Sequence, residues 1–328
     1  MRIAFFDTKD YDRQWFEKMT PKYGYEFSFF ETRCTENTVI LANGHDAVCV
    51  FVNDELNKNV IDKLYEMGIK AILLRCAGYD NVDLEACSGR IPVLRVPSYS
   101  PTAVAEYAAA LFLTLNRKIH KAYTRTREFN FKISGLMGVT LRGKTAGVVG
   151  TGKIGKIMIE ILKGFGMEIL AYDLYPDTSL DVEYTTIDDL FKRSDVITLH
   201  CPLTDDSRYI VNKNSISKMK DGVILVNTSR GALVDTSALI DGLKKNKFRG
   251  VALDVYEEEE DYFFEDRSGD IINDDELVKL MSFPNVLITS HQAFFTEESL
   301  DAIAEVTCEN LKSLVEGKEL VNEVVLDK

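Results

Sequence analysis

The segment from Thr145 to Asp173 constrains the fold more than any other. Thr145-Ala146-Gly147-Val148-Val149 is a short apolar run with strand character and Gly150-Thr151-Gly152-Lys153-Ile154-Gly155 follows at once. Lys156 to Phe165 then has helical periodicity, and Glu168 to Tyr172 is a second apolar run. Strand, G-x-G-x-x-G turn, helix and strand make a βαβ unit, which requires parallel strands and a right-handed crossover. Each glycine meets a separate steric demand: a tight turn at Gly150, close approach of backbone to a pyrophosphate at Gly152, and close helix-to-strand packing at Gly155. Asp173 stands 18 residues beyond Gly155, at the end of the second strand, where a carboxylate accepts hydrogen bonds from both adenosine ribose hydroxyls. Leu174-Tyr175-Pro176 brings no cation for a 2′-phosphate. The motif therefore predicts NAD rather than NADP as cofactor.

A second strand series precedes this unit: Ile3 to Phe6, Tyr25 to Phe29, Ala47 to Val52, Ala71 to Leu74 and Val93 to Val96. Between the third and fourth, Leu56 to Met67 places Val60, Ile61, Leu64 and Met67 at helical spacing with polar residues on the other face. Strands alternating with helices predict an α/β fold with doubly wound parallel sheets. Ser100-Pro101 opens an alanine-rich helix running to about His120, a serine cap with proline in the first turn. We place the first domain crossing there and a second near Thr296 to Leu300. The expected domains are residues 1–100 with 298–328, and residues 101–297, with a terminal helix Leu300 to Glu316 returning to the first sheet. Further strands are expected at Val196 to Leu199, Val223 to Asn227, Val251 to Val255 and Val286 to Thr289.

A net charge of −13, from 39 basic and 52 acidic residues, repels nucleic-acid phosphates and anionic lipid surfaces. No apolar run approaches the roughly 18 residues of a membrane span, and no cleavable leader is evident, so the expected location is cytoplasmic. The six cysteines contain no C-x-x-C pair and most sit in apolar runs, as expected of reduced, buried thiols. The four histidines, 45, 120, 200 and 291, have no metal-ligand spacing, and no metal is expected.

Catalytic chemistry on such sheets lies at the carboxyl ends of strands. His291 follows the Val286 strand and His200 follows the Val196 strand. Arg230 follows the Val223 strand, where a guanidinium suits a bidentate anion clamp. Asp254 and the glutamates 257–260 follow the Val251 strand, and spacing does not choose among those glutamates.

The ordered segments Leu74 to Asp83, Val96 to Pro101, the Gly150 loop, His200-Cys201-Pro202-Leu203-Thr204, Val226 to Asp235, Asp254 to Glu259 and His291 to Phe294 carry a resemblance. Over nearly its full length the chain resembles the D-isomer-specific 2-hydroxyacid dehydrogenase family, and within it the fermentative NAD-dependent bacterial enzymes. The resemblance implies a flavodoxin-like substrate domain and a Rossmann NAD-binding domain. It implies His291 as general acid/base, Glu259 as its carboxylate partner and Arg230 as the group that clamps and polarises a 2-keto acid. The backbone at Ala77-Gly78 would take the substrate carboxylate, and Phe51, Tyr99 and Phe294 would wall its C3 group, leaving room for the methyl of pyruvate. The implied cofactor residues are Gly150, Thr151, Gly152, Lys153, Ile154, Gly155, Asp173, His200, Cys201, Pro202, Thr228, Ser229 and Asp254. Asp254 would also support Arg230 or the histidine pair. A homo-oligomer, dimer or tetramer, is expected. Where that family often carries histidine after the glutamate of the linking helix, this chain has Glu106-Tyr107, a change expected to alter helix packing alone. Two other readings stay open: a bulkier substrate such as 2-ketoisocaproate or phenylpyruvate, and an NAD-sensing binding protein.

Overall fold

The computed structural model describes residues 1–326. The chain divides into two compact units, Met1–Ser100 with Phe295–Lys328, and Pro101–Phe294. The first unit holds strands β1 (Arg2–Phe5), β2 (Glu26–Phe29), β3 (Ala47–Val50), β4 (Ala71–Leu74) and β5 (Val93–Arg95), with helices α1 (Asp10–Glu17), α2 (Thr20–Tyr23), α3 (Lys58–Glu66) and α4 (Leu84–Cys87). Its sheet has the order β2-β1-β3-β4-β5 and every pairing is parallel, the flavodoxin-like order. β3 and β4 are buried along their whole length, as a sheet covered on both faces requires.

The second unit holds helices α5 (Pro101–Arg117), α6 (Ile119–Arg127), α7 (Lys153–Gly164), α8 (Ile187–Arg193), α9 (Lys213–Lys218), α10 (Thr236–Lys244) and α11 (Asp275–Ser282). Its strands are β6 (Thr145–Val149), β7 (Glu168–Tyr172), β8 (Glu183–Tyr184), β9 (Val196–Leu199), β10 (Val223–Asn227), β11 (Phe248–Leu253) and β12 (Val286–Ile288). They form one parallel sheet in the order β12-β11-β10-β9-β6-β7-β8. The strand order reverses direction between β6 and β9, the switch point where such sheets take ligands. Alternate residues feed two cores. Ala146, Val148, Ile224 and Val226 pack with Phe112, Leu115 and Met158 on one face, while Val149, Leu199, Leu225 and Leu253 pack with Phe191, Leu239 and Leu280 on the other. The chain then returns to the first unit as α12 (Glu297–Val315), which packs on α1, β4 and β5.

Several boundaries differ from expectation for local reasons. The alanine-rich helix ends at Arg117 because Lys118 turns left-handed, at φ +52°, before α6 begins. α7 starts at Lys153, not Lys156, because Gly152 is its N-cap. β11 lies at Phe248–Leu253, three residues before its expected start, and Asp254 leaves the ladder to turn inward. α12 begins at Glu297 because Thr296 caps it through the Ser299 N–H.

Candidate active site

The switch-point loops are shaped by contacts only glycine permits. Gly150 has φ +92°, and a Cβ there would lie 2.6 Å from both the His200 carbonyl carbon and the Cys201 nitrogen. A Cβ on Gly155 would lie 2.0 Å from the Gly150 carbonyl oxygen. At Gly152 a Cβ would meet nothing within 4 Å, so the turn is open on that side. No side chain caps α7, whose first turn carries Lys153 and Ile154, and its N–H groups and dipole suit an anion.

Around this cradle the polar groups are arranged for a ligand. Asp173 accepts hydrogen bonds from the Thr151 N–H at 2.6 Å, the Thr151 hydroxyl at 3.0 Å and the Tyr175 N–H at 2.9 Å. Burial alone would raise its pKa, but these donors hold it below the usual carboxylate range, so it stays charged. His200 Nδ1 and Thr228 Oγ1 are buried without a partner among the described residues, while His200 Nε2 lies 2.8 Å from Thr198 Oγ1. Burial lowers the His200 pKa to about 4, which keeps the ring neutral. The Ser229 hydroxyl donates to the Cys201 carbonyl at 2.7 Å and joins the β9 and β10 loops; Pro202, next in the chain, is exposed. An open glycine cradle, a charged Asp173 and two orphaned polar atoms fit a dinucleotide with free ribose hydroxyls.

Arg230, Glu259 and His291 hang from the carboxyl ends of three neighbouring strands, whose register aligns Asn227 with Leu253 and Leu253 with Ile288. A Cβ on Gly231 would lie 2.1 Å from the Tyr256 carbonyl carbon, so the Arg230 turn touches the loop that bears Glu259. Glu259 Oε1 lies 2.6 Å from His291 Nδ1, and Oε2 accepts the Tyr256 N–H at 2.8 Å. Among the adjacent glutamates, Glu257 is turned away to the hydroxyls of Tyr209 and Thr236. Arg230 is half-buried, donates to the Ser229 carbonyl at 2.8 Å and has no carboxylate partner among the described residues. Its charge is left for a ligand.

His291 is held at φ +52°, a left-handed conformation that costs on the order of 1 kcal/mol for a non-glycine residue and persists only where its surroundings impose it. Asp254, fully buried, imposes it. The Asp254 carbonyl accepts the His291 N–H at 2.7 Å; its Oδ1 accepts the Thr289 hydroxyl at 2.5 Å and the Gln292 N–H at 3.0 Å, and its Oδ2 accepts the Ala293 N–H at 2.8 Å. Burial raises the Asp254 pKa against the pull of these donors. Of its two expected supporting roles, the structure brings Asp254 to the histidine segment and gives it no bond to Arg230. Two contacts went unread in the sequence: the Tyr256 N–H that holds Glu259, and the Phe264 ring, 5.8 Å from that of His291.

The first unit presents Phe51, Ala77-Gly78 and Tyr99 after β3, β4 and β5. The Ala77 carbonyl accepts from Arg95 at 3.0 Å and the Gly78 carbonyl from Cys76 Sγ at 3.3 Å, whereas neither N–H has an acceptor among the described residues. Phe51 is 6% exposed beneath the Arg75 guanidinium, 4.6 Å from its ring centre. Tyr99 is half-buried, and Phe294, on the second unit, is 8% exposed.

The family model for D-isomer specific 2-hydroxyacid dehydrogenase, NAD binding domain, matches residues 109–293. The chain belongs to the D-isomer specific 2-hydroxyacid dehydrogenase family. It is 49% identical to the D-lactate dehydrogenase of Escherichia coli (strain K12), over 99% of this chain and 100% of that one. It is 50% identical to a 2-hydroxyacid dehydrogenase homolog of Haemophilus influenzae, with 99% of each chain covered. The apo-structure of D-lactate dehydrogenase from Escherichia coli superposes with a TM-score of 0.91 at 47% identity, covering 99% of this chain and 100% of that one. The chain is thus an NAD-dependent dehydrogenase of two α/β units.

Proposed function

We propose that this enzyme reversibly reduces pyruvate to D-lactate, with His291, Glu259 and Arg230 as its catalytic residues. The observation that carries the reading is the Glu259–His291 pair at 2.6 Å, on strand ends adjacent to that of an uncommitted Arg230. The 49% identity to a D-lactate dehydrogenase over 99% of the chain supports the choice of substrate. Bound NADH supplies the hydride. Arg230 binds and polarises the 2-keto oxygen, stabilising the negative charge that grows there. His291, with Nδ1 committed to Glu259, holds a proton at Nε2 and gives it to that oxygen, and takes it back in the reverse direction. Glu259 fixes the orientation of the ring through its contact with Nδ1. The free N–H groups of Ala77 and Gly78 take the substrate carboxylate, and Phe51, Tyr99 and Phe294 limit the size of its C3 group. The glycine loop, Asp173, His200 and Thr228 hold the cofactor. In the reductive direction the reaction oxidises NADH, the chemistry of a fermentative step.

The test is the ratio of kcat/KM for pyruvate, 2-ketobutyrate, 2-ketoisocaproate and phenylpyruvate with NADH. Pyruvate is expected first, with 2-ketobutyrate reduced at a lower rate, since one methylene is worth about 1–3 kcal/mol of discrimination. A preference for phenylpyruvate overturns the small pocket, and NADH binding without turnover overturns the catalytic reading. The proposal includes a cytoplasmic homo-oligomer. Phe129, Phe131, Ile133 and Met137 follow one another on the second unit at 72–84% exposure, an apolar run that a second copy would cover. A monomer by light scattering overturns it.

A further inference from the structure

The edge strand β8 is two residues long, with Glu183 exposed and Tyr184 half-buried, so its own residues do little to fill a core. It runs parallel to β7 and sets Tyr184 beside Ala171, two residues before Asp173. Arg193, the last residue of α8, donates to Glu183 Oε2 at 2.9 Å and ties the strand down. In the loop between β7 and β8, Asp177 accepts from Lys156 of α7 at 2.5 Å and from the Ser179 N–H and hydroxyl at 2.9 and 2.6 Å. These ties produce a row of hydrogen bonds that ends at the cofactor cradle. The Asp177 N–H donates to the Tyr184 hydroxyl at 3.0 Å, the Tyr184 hydroxyl donates to Thr151 Oγ1 at 2.9 Å, and the Thr151 hydroxyl donates to Asp173 Oδ2 at 3.0 Å.

We propose that Tyr184 is a positioning residue that helps to determine cofactor specificity: its hydroxyl orients that of Thr151 toward Asp173, and so sets the carboxylate for the ribose hydroxyls of NAD and against a 2′-phosphate. The inference rests on the cofactor role proposed for Asp173. The direction of the row follows from its ends, since a backbone N–H only donates and an ionised carboxylate only accepts. The Tyr184 oxygen takes the Asp177 proton, which sends the Tyr184 proton to Thr151 and the Thr151 proton to Asp173. Thr151 thereby fills Oδ2 twice, with its hydroxyl and with its N–H at 2.6 Å. Oδ1 accepts the Tyr175 N–H alone among the described residues and keeps room for a ligand hydroxyl. The same donors hold the Asp173 pKa below the usual carboxylate range, which preserves the charge that repels a phosphate. Thr151 is 3% exposed with its proton engaged, and the Lys156 ammonium is engaged by Asp177. Two donors of the kind that hold a 2′-phosphate are thus already committed. Hydrogen bonds in such a row polarise one another, so the loss of the Tyr184 link weakens the one at Asp173.

The experiment measures equilibrium binding of NADH and of NADPH by fluorescence titration, with kcat and KM for both, in wild type, Tyr184→Phe, Thr151→Val, the double variant and Asp173→Ser. Amide exchange at Thr151 is read on the protein without cofactor. Tyr184→Phe is expected to weaken NADH by about fivefold, the worth of one hydrogen bond, with NADPH binding and kcat at saturating NADH each within about twofold of wild type. Exchange at the Thr151 amide should quicken. Thr151→Val should weaken NADH by about tenfold, and adding Tyr184→Phe to it should change nothing further, because the row is already broken. Equal losses for NADH and NADPH in Tyr184→Phe overturn the proposal, as does a Tyr184→Phe effect that persists undiminished beside Thr151→Val. Wild-type discrimination in Tyr184→Phe beside lost discrimination in Asp173→Ser overturns this proposal alone. Wild-type discrimination in Asp173→Ser overturns both the proposal and the role of Asp173 on which it rests.

Discussion

The two sheets offer the same architectural feature, the carboxyl ends of parallel strands, and place charges there in opposite ways. In the first unit Arg75, Asp7, Asp12 and Asp54 are each at most 4% exposed. Arg75 donates to the Phe6 carbonyl at 3.1 Å and the Asp7 carbonyl at 2.6 Å, lies 3.4 Å from Asp12, and is flanked by the rings of Phe5 and Phe51. Burial opposes its charge, but Asp12, Asp54 and Asp7 hold its pKa above the ordinary value. Asp54 accepts the N–H groups of Cys34 and Phe51, both at 2.5 Å. Arg75 and Asp54 are thereby committed to the backbone of the surrounding loops. In the second unit His291 and Glu259 keep side-chain exposures of 21% and 19%, and Arg230 has no ion pair among the described residues. Burial decides whether a strand-end charge builds the scaffold or remains available for chemistry.

This division can be broken. His291→Ala should lower kcat by about 10²–10⁴-fold, the range of a general acid, while NADH binding and unfolding by urea stay near wild type; near-normal turnover would show that the exposed charges are not the chemical ones. Arg75→Met should do the reverse. It leaves buried carboxylates unpaired, at a cost of about 3–5 kcal/mol in stability measured by urea unfolding. An unchanged urea midpoint would mean that the buried cluster does not hold the first sheet.

His200 sharpens the contrast, because it belongs to the second unit but is buried. Its folded pKa of about 4 lies below the ordinary value of 6.5. The neutral ring therefore stabilises the fold above pH 6.5, and that contribution is lost as pH falls through 4, about 3 kcal/mol across the window. His200→Gln should flatten the fall in stability between pH 6.5 and 4, measured without cofactor. An equal slope in the variant would place the acid sensitivity elsewhere.

What could be read in advance follows the same physics. The strands β6, β7, β9 and β10 were legible to the residue, because largely buried parallel strands read as mostly apolar runs bounded by turn residues. The β-strand Glu183–Tyr184 was not, since two residues with one exposed have no pattern. The left-handed break at Lys118 has no glycine or asparagine to announce it. At the site, strand-end placement singled out His291 and Arg230, while spacing alone left four glutamates open; only the family resemblance pointed to Glu259, whose Oε1 lies 2.6 Å from His291 Nδ1. The Arg75 cluster escaped notice because its members are scattered from residue 7 to residue 75 and each resembles a surface charge. The one signal was an arginine between Leu74 and Cys76 in an apolar run, which requires a buried partner.

The first unit is interrupted in sequence, and this has a consequence for the order in which the molecule is made. Its five strands leave the ribosome first, but α12, which covers β4 and β5, is translated only after the whole of Pro101–Phe294. The nascent first sheet must wait with β4 and β5 lacking the cover of α12, while the later-made unit already has every strand of its own sheet. Synthesis order and completion order are thus inverted: the N-terminal half is begun first and finished last.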